Sequence, residues 1–307
     1  MAGRYKYPDW IAVDWGTSNL RFWAMSAGGN VIHEGNAPKG MAGLARGEFE
    51  PALLALINPY LHATRKVPVL CCGMAGSRQG WHEAPYITTP CPPPTLCNAV
   101  DVPTQDSRLQ VKILPGVKQL RPADVMRGEE TQIAGVLLER PGFDGVICMP
   151  GTHSKWAHIS AGEIVSFQTF MTGELFALLS EKSILQHSMD TSTWDQNAFG
   201  VAVQDAMSNP KIFAAHLFSL RAQGLVGNAK APDARSRLSG LLVGLELAGA
   251  RPYWLGQNVV LVGAEGLANA YCQALTDLGA NAEILPGTDI TLAGLKFAYM
   301  NQKVTTQ

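Results

Sequence analysis

The chain states nearly the same pattern twice. Residues 11–35 read IAVDWGTSNLRFWAMSAGGNVIHEG and residues 146–170 read VICMPGTHSKWAHISAGEIVSFQTF. Gly16-Thr17 align with Gly151-Thr152, and Ser26-Ala27-Gly28 with Ser160-Ala161-Gly162, with one gap between them. Both copies read as strand, tight glycine turn, strand, short turn, strand. A spacing of about 135 residues exceeds the roughly 20–50 of solenoid repeats. It predicts two related domains, each offering a Gly-Thr loop shaped to hold phosphate.

The 307 residues are 47% hydrophobic and 16% charged, enough apolar content for a sizeable core. A net charge of −1 argues neither for nor against a nucleic-acid or membrane partner, and no basic run or nucleic-acid motif stands out. The six cysteines form no C-x-x-C and no zinc spacing, so they read as buried thiols in a reducing compartment. The segment MAGRYKYPDW has no apolar core of a signal peptide, and no apolar run reaches the length of a membrane span. These features predict a cytoplasmic protein.

Strands are expected near 10–17, 20–26 and 30–35, then a helix over 47–62 and a buried strand over 67–72. Another strand covers 111–115, and a helix opens at 127–132. After the second meander come a helix over 175–183 and an irregular, lid-like insertion over 188–230. The helix at 235–250 carries Gly240 and Gly244 four apart, which allows close backbone packing. A strand at 258–262, a helix at 267–278, a strand at 282–286 and a helix at 291–300 complete the chain. Meanders joined by crossover helices give an α/β fold with mixed sheets.

Asp14-Trp15-Gly16-Thr17-Ser18-Asn19 joins the first two strands. Glycine lets phosphate approach the backbone, Thr17 and Ser18 add hydroxyl donors, and Asp14 can hold Mg²⁺. The plain alternative is a hairpin turn with Asp14 in its bonding. The partner loop Pro150-Gly151-Thr152-His153-Ser154-Lys155 strengthens the phosphate reading. Lys155 and Arg21 read equally as phosphate contacts or as exposed strand charges. Gly263-Ala264-Glu265-Gly266 ends a strand and starts a helix, which suits an anion or ribose, or is an ordinary connection. Glu129 and Glu130 open a helix, either as dipole-compatible charges or as a source of a general base. Ser77, Arg78 and Gln79 follow a buried strand, and arginine suits carboxylate capture. Trp10 and Trp81 read as packing.

No Walker A, kinase H-R-D, G-x-G-x-x-G, G-x-S-x-G or H-E-x-x-H pattern is present. The paired loops, the GEETQ helix, the GAEG turn and TLAGLKFAY together resemble the sugar-kinase, actin and heat-shock-ATPase superfamily. More narrowly, IAVDWGTSNLR, APKGMAGL, GMAGSRQGWHEAPY, VMRGEETQIAG, MPGTHSKW, TFMTGELFALL and SGLLVGLELA resemble the 2-dehydro-3-deoxygalactonokinase family. The resemblance implies a ribonuclease H-like, actin-like ATPase fold of two related domains with a cleft between them. It implies an N-terminal sugar-kinase-like domain over 1–122 and a C-terminal nucleotide-binding domain over 123–307. Gly294 then lies near the second interdomain connection, and the helix of Glu129 begins near the first.

The implied activity is ATP- and Mg²⁺-dependent phosphorylation of the 6-hydroxyl of 2-dehydro-3-deoxy-D-galactonate, in galactonate catabolism. Glu129 and Asp14 are the implied catalytic residues, with Asp14 also the metal ligand. ATP falls to Gly16, Thr17, Ser18, Gly151, Thr152, His153, Lys155 and Gly263 through Gly266. The sugar acid falls to Lys39, Gly40, Met41, Ser77, Arg78 and Gln79. Related sugar kinases usually carry Asp then Gln where this chain has Glu129-Glu130, which leaves Glu130 and Asp124 open as the base. The second repeat is read with Pro150 in the place of Asp14, so metal is assigned to the first domain and most of the nucleotide to the second. Partners are a sugar acid and ATP, with no nucleic acid and no membrane; a homodimer is left open. A kinase for another sugar, a phosphohydrolase and a sugar sensor remain alternatives. The sensor ranks last, since no helix-turn-helix pattern lies before residue 11.

Overall fold

The computed structural model describes residues 7–189, 194–226 and 231–301. Its strands are β1 (Trp10–Trp15), β2 (Leu20–Met25), β3 (Val31–Ala37), β4 (Val67–Gly73), β5 (Tyr86–Thr88), β6 (Val100–Val102) and β7 (Leu109–Ile113). They continue as β8 (Gly116–Leu120), β9 (Ala123–Met126), β10 (Gly145–Met149), β11 (Ser154–Ser160), β12 (Glu163–Phe170), β13 (Asn258–Gly263) and β14 (Asn281–Pro286). The helices are α1 (Phe49–Ile57), α2 (Glu129–Glu139), α3 (Thr172–Lys182), α4 (Gln196–Ser208), α5 (Phe213–Val226), α6 (Ala231–Gly249), α7 (Arg251–Trp254), α8 (Glu265–Asp277) and α9 (Gly287–Met300).

One sheet has the order β3-β2-β1-β4-β7-β6 and another β12-β11-β10-β13-β14. Both pair their first strand in parallel with the strand that follows the meander: β1 with β4, and β10 with β13. The next pairs, β4 with β7 and β13 with β14, are also parallel. The sequence repeat is thus the visible part of a longer, five-strand repeat. This order is the ribonuclease H-like, actin-like ATPase arrangement, with mixed sheets and helices. The small sheet β5-β8-β9 and the edge strand β6 have no counterpart in the sequence reading. Three-to-five-residue strands carry too short an alternation to register as a period.

Contacts divide the chain into two units. Unit 1 holds residues 1–143, 159–166 and 287–307; unit 2 holds 144–158 and 167–286. The boundary expected at 122/123 falls inside unit 1, because α2 packs on α9 within that unit.

Alternation along β1 covers both faces of its sheet. Ile11, Val13 and Trp15 enter a core with Phe22, Phe49 and Leu53, while Trp10 and Ala12 enter another with Trp23, Leu295 and Ala298. Trp10 stacks on Tyr299 and Trp81 sits edge-on to Trp15, so both tryptophans are packing residues. In unit 2 the sheet packs Val146, Cys148, Val259 and Leu261 against Phe199, Val203, Val243 and Leu247.

Segment 188–230 departs from the irregular insertion expected of it. Its described residues form α4 and α5, and 190–193 and 227–230 lie outside the described residues. Phe199, Ala202, Val203 and Ala206 make a buried helical stripe that packs on α6. Gly240 and Gly244 are what allow it, since a Cβ on either would overlap the α4 backbone at Phe199 or Val203. Helix starts are also earlier than read: α3 at Thr172, α8 at Glu265 and α9 at Gly287.

None of the six cysteines forms a disulfide. Cys71, Cys72, Cys91 and Cys148 are buried as expected, whereas Cys97 is exposed and Cys272 half-buried. Among the described residues no helix is long and apolar enough to cross a membrane.

Candidate active site

In unit 1 the chemistry gathers at the carboxyl ends of β1 and β4. Strand parity points Asp14 to the side of Trp10 and Ala12, where its Oδ2 accepts from Arg21 Nη2 at 2.7 Å. Arg21 also donates to Thr288 Oγ1 at the start of α9. Arg21 is therefore neither a free surface charge nor a free phosphate contact. Burial raises the Asp14 carboxyl above its ordinary value, and Arg21 opposes that. Gly73 closes the group. A Cβ there would lie 3.6 Å from Asp14 Oδ1, and one on Gly128 would lie 3.4 Å from the Gly73 Cα. The turn that opens α2 is thereby brought beside Asp14.

That turn arranges its two carboxylates unequally. Glu129 is half-buried and its Oε2 accepts from the Arg127 amide at 2.9 Å. Glu130 is 1% exposed, and both its oxygens accept from the Gly128 amide at 2.9 and 2.7 Å. Burial, then the Glu129 charge, pushes Glu130 up to about 8, against the Gly128 amide and Arg127. Asp124 bonds the Val125 amide on β9.

Because folded Glu130 holds its proton more tightly than an unfolded carboxyl at 4.5, its contribution to stability falls as pH rises from about 4.5 to about 8. Glu130→Gln is expected to flatten that part of the pH–stability curve. Melting temperatures at pH 5 and pH 9 measure it; equal pH slopes in both proteins would mean that Glu130 titrates normally.

Loop one, Gly16 to Asn19, is held from behind by residues 40–42. The amides of Gly40, Met41 and Ala42 donate to Ser18 O, Gly16 O and Thr17 O, each at 3.0 Å. Trp15 Nε1 donates to Lys39 O at 2.9 Å. A Cβ on Gly40 would overlap Thr17 and Ser18. The amides of Gly40 and Met41, residues expected to grip a sugar acid, are already committed to the loop. Thr17 and Ser18 are left exposed.

Loop two is held the same way. Glu174 N donates to Thr152 O at 2.9 Å, a Cβ on Gly173 would overlap Gly151, and His153 Nε2 lies 2.5 Å from Glu174 Oε2. The repeat thus includes a glycine brace after the third strand of each copy. Gly40 and Gly173 were the available signal, one residue type three residues past the third strand of each copy. Counting back from Gly151, the counterpart of Asp14 is Met149, not Pro150; it is 3% exposed and apolar. Lys155 is 5% exposed, which removes the surface-charge reading.

Unit 2 contains a cavity of about 790 Å³, within the range of small-molecule sites. Gly151 and Thr152 of loop two line it, with Gly173, Phe176, Arg235 and Gly266. The Arg235 guanidinium lies 4.8 Å over the Phe176 ring. Of the GAEG turn only Gly266 reaches the lining; Gly263 sits against Pro150, and His153 and Lys155 are not among the lining residues. Behind the cavity, Glu246 accepts from Trp156 Nε1 and Tyr271 Oη, both at 2.7 Å, and Ser154 and Thr172 add hydroxyl hydrogen bonds.

Among the described residues no cluster of three His, Cys, Asp or Glu side chains can hold a metal. Mg²⁺ usually takes one or two carboxylates and completes its shell with phosphate oxygens and water. Asp14, a single carboxylate beside an exposed Gly-Thr loop, fits that mode and no all-protein cage.

The family model for 2-keto-3-deoxy-galactonokinase matches residues 14–298. A Rhizobium meliloti (strain 1021) relative named as a 2-dehydro-3-deoxygalactonokinase, DgoK1, is 40% identical over 299 residues, covering 94% of this chain and 96% of its own. The 2-dehydro-3-deoxygalactonokinase of Escherichia coli (strain K12) is 31% identical, covering 96% and 97%. A crystal structure of a Sinorhizobium meliloti protein named for the same activity superposes with a TM-score of 0.86 at 40% identity, covering 94% and 97%. The matched span takes in Asp14, both braced loops, the Arg127–Glu130 turn and the cavity, and the chain belongs to the 2-keto-3-deoxy-galactonokinase family.

Proposed function

We propose that this chain transfers the terminal phosphoryl group of ATP to the 6-hydroxyl of 2-dehydro-3-deoxy-D-galactonate. The product, 2-dehydro-3-deoxy-6-phospho-D-galactonate, belongs to galactonate catabolism in the cytoplasm. The carrying observation is a family match that spans 285 residues, from Asp14 through the last helix.

Unit 2 supplies the nucleotide cavity, with Gly151, Thr152 and Gly266 at its lining. Backbone amides at glycine turns and helix starts favour phosphate there. Unit 1 supplies loop one, with Thr17 and Ser18 as donors to phosphate oxygens. Asp14 would hold Mg²⁺, which neutralises charge on those oxygens when bound. Glu129, the more exposed carboxylate of its turn, orients the 6-hydroxyl and accepts its proton as the new P–O bond forms. Residues 39–42 keep loop one in place rather than touching the acceptor. Positioning and charge neutralisation carry most of the rate in phosphoryl transfer.

The test is an acceptor panel with ADP release as readout. It contains 2-dehydro-3-deoxygalactonate, its C4 epimer, other 2-oxo-3-deoxy acids and neutral hexoses. Acceptor-dependent ADP release is expected with 2-dehydro-3-deoxygalactonate, and much weaker release with hexoses. Equal phosphate release with no acceptor present would make the protein a phosphohydrolase instead.

A further inference from the structure

Arg127 immediately precedes the Gly128-Glu129-Glu130 turn. Its Nη2 donates to Ala84 O at 2.7 Å, and its guanidinium lies 4.3 Å over the Tyr86 ring. Its Nε and Nη1 are buried and have no hydrogen-bond partner among the described residues. The same is true of the Ser77 hydroxyl, in a residue only 7% exposed. Gly76 joins the two: a Cβ there would lie 2.7 Å from Arg127 Nη1, and Ser77 is the next residue.

A guanidinium keeps its charge at any physiological pH, and a buried donor without an acceptor is destabilising. The Arg127 charge acts on Glu130, but neither nearby carboxylate hydrogen-bonds Nε or Nη1. Glu129 bonds the Arg127 amide, and Glu130 bonds the Gly128 amide. What is left is a cation and a hydroxyl with three unused donor atoms, two residues from the carboxylate read as the base. That donor set suits an acceptor-only anion. Arg78, the arginine expected for this task, is exposed, and its carbonyl accepts from Arg46 Nη2 at 2.8 Å. Arg127 is half-buried as a residue, with its Nε and Nη1 enclosed.

We propose that Arg127, assisted by Ser77, binds the C1 carboxylate of the acceptor and so selects a sugar acid over a neutral sugar. This rests on the sugar-acid kinase reading above. The two ends of a six-carbon acid are thereby held by one short segment: the carboxylate at Arg127 and the reacting hydroxyl at Glu129.

The experiment compares 2-dehydro-3-deoxygalactonate with its uncharged C1 amide in wild type, Arg127→Lys, Arg127→Ala and Ser77→Ala. Wild type should prefer the acid. Arg127→Ala should raise KM for the acid on the order of 100-fold, leave KM for ATP alone, and leave activity on the amide within about threefold. Arg127→Lys should retain part of the preference, and Ser77→Ala should lose several-fold of it. Unchanged preference in Arg127→Ala, or equal loss on both acceptors, would overturn the proposal, the second by giving Arg127 a structural role. If Arg127→Ala does not fold, the Lys and Ser77 variants decide by the same ratio. Calorimetric binding of the acid without ATP separates the two readings. Binding that needs Arg127 in a protein that transfers no phosphate would sink the kinase reading and keep this one.

Discussion

Glu129→Gln is expected to lower kcat on the order of 1,000-fold while KM for ATP stays within about threefold. Glutamine keeps an oxygen able to accept from the Arg127 amide, so the turn should survive. It cannot take a proton from the attacking hydroxyl. Steady-state ADP release, with calorimetric nucleotide binding as control, measures both quantities. Glu130→Gln is the internal comparison. Its carboxyl is 1% exposed and turned onto the Gly128 amide, so its loss should cost less than tenfold in kcat. The reverse ranking would move the base to Glu130. Near-full activity in both would move it to Asp124 or off this turn entirely.

Glu246→Ala is expected to destabilise unit 2 by about 3–5 kcal/mol. The substitution leaves Trp156 Nε1 and Tyr271 Oη buried without their acceptor and opens a void among β11, α6 and α8. Thr172, which also bonds Glu246, lines the cavity and precedes the Gly173 brace of loop two. KM for ATP should therefore rise even where the variant stays folded. Urea unfolding followed by tryptophan fluorescence checks the first effect, and ATP titration the second. Glu246→Gln should fall between, since an amide can accept from one donor but turns its own N–H groups toward the other. Wild-type stability in Glu246→Ala would show that the network contributes nothing net.

Local signals were the ones a linear reading could use. Gly16-Thr17 and Gly151-Thr152, flanked by short apolar runs, specified two meanders, because an apolar run and a glycine turn are properties of a few adjacent residues. Gly240 and Gly244 likewise announced a close helix contact before its partner was known. The partner, α4, was missed although Phe199, Ala202, Val203 and Ala206 have helical spacing, since Gly200 and the polar residues around them masked the stripe.

The site divides along the same line. Sequence alone determined which residues can do the chemistry: Asp14 ending a strand, two Gly-Thr loops, a Glu-Glu helix start and an arginine-bearing turn. Tertiary structure decided how each of them is held. It spent the amides of Gly40 and Met41 on bracing loop one, buried Glu130 and left Glu129 accessible, and exposed Arg78 while leaving Arg127 with unanswered donors. Those outcomes depend on burial and on hydrogen-bond partners as far apart in the chain as residues 84 and 127. No window of adjacent residues contains that information, because desolvation and donor–acceptor pairing are set by whatever the fold brings alongside.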